Sequence, residues 1–179
     1  YSFTSHSITT LSNRLLIVAV SFRQNSQLST LNGVTVNGTP IAYLANSRAT
    51  STDRKTEIWY MVNPPSGTVT IGVNFPSAEQ SAVIGASSFY NVNQTSPLGA
   101  ASTNTGASGN GIITISSVAD AIAFGVLTNY DTLPIPQSPA TLIYRRNTNS
   151  RWIVSTASKV AGSSFTVINW TNTTCCRWS

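Results

Sequence analysis

The chain has 179 residues and a mass of 19.0 kDa, enough for one domain with a sizeable core. Its hydrophobic content of 41% argues against a disordered chain, and only 8% of its residues are charged, far below the roughly 25% of typical soluble domains. The net charge of +5 comes mainly from scattered arginines, which lack the dense basic face of a nucleic-acid-binding surface.

Nothing in the sequence indicates a membrane span, because no apolar run reaches the ~18 residues that one needs. The chain begins at Tyr1 with neither an initiator Met nor a leader-like segment. We therefore expect a mature, exported protein that is extracellular or bound at the cell surface. A surface with so few charges repels copies of itself weakly, which favours close association.

Short apolar runs of strand length follow one another along the chain, and no stretch of ten residues shows helical periodicity. The longest of them, Leu15 to Val20, predicts a strand buried on both faces. Asn37-Gly38 lies between two β-like runs and predicts a tight turn. Further strands are predicted at 34–36, 41–44, 82–90, 112–116, 121–128, 141–146, 152–156 and 165–170, with a polar-tipped hairpin joining 141–146 to 152–156.

Two adjacent apolar runs between Glu57 and Phe75 have different patterns. Residues 58–62 are apolar on both faces, whereas residues 69–75 alternate between apolar and polar side chains, as in a half-buried strand. Asn63 to Gly67 separate the runs with two prolines and a glycine, which predicts a β-hairpin with a five-residue loop. The first of the two strands is expected to lie between layers of a sandwich.

These patterns together predict an all-β fold, an antiparallel Ig-like β-sandwich of about nine to eleven short strands. Residues 1–11 form an N-terminal β arm in this interpretation, and residues 12–179 form a single sandwich domain. Asn91 to Asn110 is a long stretch of Gly, Ser, Thr and Asn, and loops of that length inside a domain are typically functional or mobile.

The titratable side chains that catalysis requires are scarce. His6 is the single histidine, and its neighbours Ser5 and Ser7 point to the opposite face of a strand, so they cannot form a nucleophile–base pair with it. The five carboxylates are far apart in sequence, and one histidine with a cysteine pair cannot complete a zinc site. We therefore expect a protein that is not an enzyme and that holds no metal or cofactor.

Several other side chains have more than one interpretation. Cys175 and Cys176 are adjacent, so a bond between them would close a small strained ring; a link to another chain and two free thiols are the alternatives. Both lysines, Lys55 and Lys159, lie among polar residues, which favours surface roles over an isopeptide crosslink. Four Asn-x-Ser/Thr sequons, no more than chance predicts, are candidate glycan sites at Asn37, Asn93, Asn169 and Asn172.

Aromatic side chains allow a sugar-binding interpretation, because exposed rings can stack on sugars. Trp59 and Trp170 lie in apolar runs and are expected in the core. Trp152 and Trp178 each stand next to an arginine and are the better surface candidates.

The runs LNGVTVNGTPIAYL, EIWYMVNPPSGTVTIGVNF and FYNVNQTSPLGA resemble a group of exported bacterial and phage-associated β-sandwich domains of unknown function. The resemblance covers about the first 100 residues, and its most specific part is the W-Y-x-x-N-P-P-x-G-T pattern that begins at Trp59. It implies a sandwich fold and export. It implies no catalytic residue.

The N-terminal arm before a sandwich is similar in architecture to subunits of donor-strand-exchange pili. In such fibres the N-terminal strand of one subunit completes the open groove of another. The assembly residues would be Tyr1, Phe3, Ile8 and Leu11, although Ser5 and Ser7 interrupt the alternation and the arm has the alternative of pairing within its own chain.

We therefore expect a structural subunit of an extracellular filament, with other copies of itself as partners in a helical homopolymer. A carbohydrate-binding or adhesin module of an exported or phage protein is the alternative. Attached glycans are a further expectation, and nucleic acid is not expected as a partner.

Overall fold

The computed structural model of the chain describes residues 2–23, 30–51, 54–76, 81–107, 109–130, 134–148, 151–159 and 165–171. Over these residues the fold is all-β, and every strand pair is antiparallel, as the sequence predicted. In chain order the strands are β1 (Ser2–Ile8), β2 (Leu15–Arg23), β3 (Gly33–Val36), β4 (Thr39–Pro40), β5 (Ala42–Tyr43), β6 (Ala49–Ser51), β7 (Arg54–Val62), β8 (Gly67–Asn74), β9 (Ser81–Phe89), β10 (Gly111–Ser116), β11 (Ile122–Tyr130), β12 (Ile135–Pro136), β13 (Thr141–Thr148), β14 (Arg151–Lys159) and β15 (Phe165–Thr171).

The strands form four sheets. Sheet 1 has the order β1-β8-β3-β4, and sheet 2 has the order β5-β7-β2-β9, with β6 also paired to β7. Sheet 3 has the order β11-β14-β13, and sheet 4 has the order β10-β15-β12. The described strands outnumber the nine to eleven expected because β4, β6 and β12 have only two or three residues, too few for a periodic signal.

The central strand of the first half is β2, which is bonded to β7 on one side and to β9 on the other. Its residues from Leu15 to Phe22 are all buried. Leu16, Val18, Val20 and Phe22 pack against sheet 1 in the main core, and Ala19 packs on the other face against Val126 and Tyr144 of sheet 3. The two-sided burial predicted from the apolar run is confirmed.

The predicted hairpin between Glu57 and Phe75 is wrong. Both strands exist, but β7 pairs with β2 in sheet 2, whereas β8 pairs with β1 and β3 in sheet 1. The segment between them carries the chain across the sandwich, with Asn63 and Gly67 both at positive φ (49° and 89°). The different patterns of the two strands have a structural reason, because β7 belongs to a sheet covered on both faces and β8 to a sheet with one covered face.

Two other local predictions are confirmed. Asn37 and Gly38 form the turn between β3 and β4, with φ of 48° and 82° at the two positions, as expected for a type I′ turn. The hairpin of β13 and β14 is also present, and its pairing extends to Thr148 opposite Arg151. The segment predicted as one strand at 41–44 is shorter, because only Ala42 and Tyr43 pair, in this case with β7.

The expectation of an arm separate from the domain requires correction. In the single chain, β1 pairs with β8 of the same chain and completes sheet 1. The physical reason is burial, since Ile8 is only 2% exposed and belongs to the core between sheets 1 and 2.

The second half of the chain adds two layers. Phe124, Val126 and Thr128 of β11 face sheet 2, where Phe124 lies edge-to-face on Phe89 at 6.0 Å and Thr128 shares a hydrogen bond of 2.9 Å with Thr56. The alternate positions of β11 face sheet 4, where Ala123 and Leu127 pack with Ile168 and Trp170. Sheet 3 therefore lies between sheets 2 and 4.

A glycine allows the close contact of sheets 2 and 3. A Cβ built at Gly85 of β9 would overlap the ring of Tyr144.

We expect Gly85→Ala to lower the free energy of unfolding by roughly 1–3 kcal/mol, as overpacking does, measured by urea denaturation. Gly33→Ala is the matched control, because nothing lies within 4 Å of its Cβ position, and its effect should stay within about 0.5 kcal/mol. Equal effects of the two substitutions would contradict the tight contact.

Candidate functional site

The candidate site is the β1 seat, which we define as β1, the edge of β8 on which it lies, and the connection 9–14. Within the described sheet β1 is an edge strand, since β8 is its one bonded neighbour. Six of its residues have partners on β8, from Ser2 opposite Gly72 to Ile8 opposite Gly67. An edge strand is the element of a sheet that can be exchanged by breaking a single strand pairing.

A bulge explains the interrupted alternation in the first residues. The register shifts between Thr4 and His6, because Thr4 lies opposite Thr70 and His6 opposite Val69. Val69 and Ile71 point into the core, so the register places His6 and Ile8 on the core-facing side of sheet 1.

The predicted assembly residues therefore have different positions. Ile8 is buried, whereas Leu11 is 51% exposed in the connection after β1. Phe3 pairs with Ile71 of β8. Tyr1 is outside the described residues.

The far end of the connection is fixed at Arg14. Its Nε donates to the carbonyl of Pro64 at 2.9 Å, and one of its terminal nitrogens donates to the carbonyl of Leu11 at 2.8 Å. The backbone amide of Asn63 donates to the carbonyl of Arg14 at 2.8 Å. Thr10, Leu11 and Ser12 lie exposed between this anchor and β1, and the carbonyls of Leu11 and Ser12 accept hydrogen bonds from Arg14 and Asn91.

His6 is the titratable side chain of β1. It is half-buried, and its Nε2 is buried without a hydrogen-bond partner among the described residues. Desolvation by this burial lowers the pKa of His6 below 6.5, because the charged imidazolium loses its hydration and gains no acceptor. Protonation therefore favours the released strand over the seated one.

A buried carboxylate in β7 of sheet 2 is hydrogen-bonded to two neighbouring side chains. Glu57 is fully buried; its Oε1 accepts from Nε of Arg48 at 2.9 Å, and its Oε2 accepts from the indole nitrogen of Trp59 at 3.2 Å. Lys55 is also buried, at 3% exposure, and burial lowers its pKa although the charge of Glu57 acts in the opposite direction. The surface role predicted for Lys55 is therefore wrong. No pattern in the sequence indicated this burial, since the neighbours of Lys55 along the chain are polar.

The tryptophans predicted for the core are found there: Trp170 is 2% exposed, and Trp59 packs partly buried against the main core. Trp152 lies in β14, whose side chains are outside the description, and Trp178 is outside the described residues. The aromatic platform that the sugar-binding alternative requires stays a prediction.

The candidate glycan sites differ in access. Asn37 and Asn93 are exposed in turns, where their side-chain oxygens accept backbone amides at 2.8 and 2.9 Å. Asn169 is half-buried in β15, and its side-chain oxygen is buried, which makes it a poor acceptor. Asn172, Cys175 and Cys176 are outside the described residues.

No group of three or more His, Cys, Asp or Glu that could hold a metal ion occurs among the described residues. The described part of the chain also contains no helix of the length and apolarity that a membrane crossing requires. No protein-family model, curated protein or solved structure matches this chain.

The β1 seat predicts a difference between two apolar truncations. Ile8→Ala should lower the free energy of unfolding by roughly 2–4 kcal/mol, because it leaves a cavity in the core. Leu11→Ala should change it by less than about 0.5 kcal/mol, because Leu11 is exposed. Urea denaturation of both variants checks the assignment, and a cost at Leu11 as large as at Ile8 would show that the seat extends into the connection.

The seat also predicts a dependence on pH. The pKa of His6 is lower in the folded protein than its value of 6.5 in the unfolded chain. Above pH 6.5 the imidazole is therefore neutral in the folded and in the unfolded protein, and its titration does not change the stability. As the pH falls below that value the unfolded state binds more protons, and the stability decreases. We expect the melting temperature to fall from about pH 7.5 to about pH 5.5, and His6→Gln to reduce this fall. An unchanged pH profile in His6→Gln would assign the effect to other groups.

Proposed function

We propose that this chain is a structural subunit that assembles with copies of itself into an extracellular filament by exchange of β1. The observation that carries the proposal is the position of β1, an edge strand that has one bonded neighbour in the described sheet and inserts Ile8 into the core. Because β1 completes its own sheet in the single chain, assembly requires release of β1 from β8 and its replacement by β1 of another copy.

Exchange preserves the contacts of the seat. In an exchanged pair, the same six residues of β1 would pair with β8 of another copy as they do with β8 of their own chain. Each main-chain hydrogen bond contributes about 0.5–1.5 kcal/mol net, and burial of Ile8 adds a further few kcal/mol. Dissociation of an exchanged strand would break all of these interactions together, which would make a non-covalent polymer durable.

The outer surface supports contacts between copies. On the outward face of sheet 4, Ile112, Phe165 and Val167 are 44%, 60% and 51% exposed, and the register places them on one side. With a low proportion of charged residues in the chain, such a face suits lateral packing in an assembly.

An interstrand crosslink tests the proposal directly. Ser7 and Thr68 are exposed and lie opposite each other on β1 and β8, at a spacing that a disulfide bridges. In a background carrying Cys175→Ser and Cys176→Ser, we expect Ser7→Cys with Thr68→Cys to give a ladder of covalent multimers after assembly and oxidation. The measurement is denaturing electrophoresis without reductant.

The matched control places cysteines between two strands that are not exchanged. Gly33 of β3 lies opposite Asn74 of β8, so Gly33→Cys with Asn74→Cys should leave monomers on the same gel. If the assembled Ser7→Cys and Thr68→Cys chain also runs entirely as a monomer, then β1 stays in its own chain and the proposal fails.

A further inference from the structure

A cavity of about 820 Å³ lies between sheet 2 and the second half of the chain. Its first wall is the face of sheet 2 that carries Leu15, Ile17 and Ile58. Its second wall is formed by β10, β11 and β15, and its third by residues 89–93 and 96–104. The volume lies within the roughly 300–1,000 Å³ of small-molecule sites in proteins.

The cavity exists because sheet 3 covers only part of sheet 2. Val126 and Tyr144 cover Ala19 and Val83, whereas Leu15 and Ile17, further towards the start of β2, line the open space. Gly125 of β11 cannot carry a side chain here, since its Cβ position lies 2.8 Å from the Trp170 ring and 2.9 Å from Ile168. The wall at this point is therefore made of closely packed apolar groups.

The third wall is fixed by hydrogen bonds. The backbone amides of Asn91 and Val92 donate to the carbonyls of Ser12 and Asn13 at 3.2 and 2.9 Å. The side chain of Asn104 donates to the carbonyl of Ile112 at 2.8 Å and attaches the other end of this loop to sheet 4. The polar stretch that the sequence identified as an unusually long loop is thus an anchored wall, and a preformed wall reduces the entropy cost of binding.

The lining selects for neutral ligands. Among the described residues that line the cavity, Asp120 is the one acidic residue, and none is a lysine, an arginine or a histidine. The others are apolar or carry neutral amide and hydroxyl groups, most of which belong to the loop. A charged ligand would lose its hydration without an oppositely charged partner other than Asp120, whereas an apolar body gains free energy in proportion to its buried area.

From these walls we propose that the cavity is a binding site for a neutral, mainly apolar small molecule whose few polar groups face the loop at residues 91–104. This inference is independent of strand exchange, because none of β1 lines the cavity.

The probe for the test is Nile red, a neutral dye that becomes fluorescent in apolar surroundings. Leu98 lies half-buried in the loop wall, so Leu98→Trp should fill part of the cavity and weaken dye binding by at least about tenfold. Leu11→Trp is the matched control at an exposed residue outside the cavity, and its affinity should equal that of the unchanged chain. Phe165→Ser removes an apolar group from the exterior of sheet 4 and should also leave the affinity unchanged.

Saturable binding at one dye per chain, weakened in Leu98→Trp alone, is the expected result. Equal affinity in Leu98→Trp and Leu11→Trp, or loss of binding in Phe165→Ser, would move the dye to an exterior surface and overturn the proposal. If the dye fluorescence per chain decreases as the chain concentration rises, a second copy of the chain occupies the cavity, and this result would also overturn the proposal. Non-saturable binding would also reject the site.

Discussion

The burial of β2 on both faces is the constraint from which the layered architecture follows. A strand whose residues from Leu15 to Phe22 are all buried needs an apolar cover on each side. Sheet 1 supplies one cover, and sheet 3 supplies the other through Val126 and Tyr144. Sheet 3 is in turn covered by sheet 4. The first half of the chain thus cannot bury its central sheet alone, and the second half is required for that purpose.

Buried polar groups set the alignment of the segments around this sheet. Glu57 of β7 accepts a hydrogen bond from Arg48, which precedes β6, and another from Trp59, which lies two residues further along β7. A buried carboxylate without these donors would cost several kcal/mol in lost hydration, so the connection before β7 has to place Arg48 where it is. Glu57 and Trp59 are two residues apart and therefore share a face of β7. The indole can reach the carboxylate for this reason.

Periodicity along the chain predicted the strands well but predicted their partners less well. The apolar run at Leu15 to Val20 and the alternation at Val69, Ile71 and Val73 reported burial, which is a property of each strand alone. The choice between a hairpin and a crossing between sheets depends on which layer covers β8, and no local pattern contains that information. The bulge between Thr4 and His6 and the burial of Lys55 were missed for the same reason. The loop of the cavity was noted for its length and its composition, but not for what it encloses.

Closure of β1 on its own chain and exchange of β1 between chains compete on nearly equal terms. Both states contain the same β1–β8 pairing, so the contacts of the seat cancel in the comparison. What remains is the effective concentration of β1 near its own β8, which for a short flexible connection is on the order of millimolar, and any strain in residues 9–14. Dilute chains are therefore expected to close, and assembly requires a high local concentration of subunits or a condition that opens the seat.

Protonation of His6 favours opening of the seat, because burial of the imidazole disfavours its charged form in the seated strand. Acid would open the closed and the exchanged seat equally, so it would accelerate the conversion between them without choosing the final state, and the concentration of chains would decide which one accumulates.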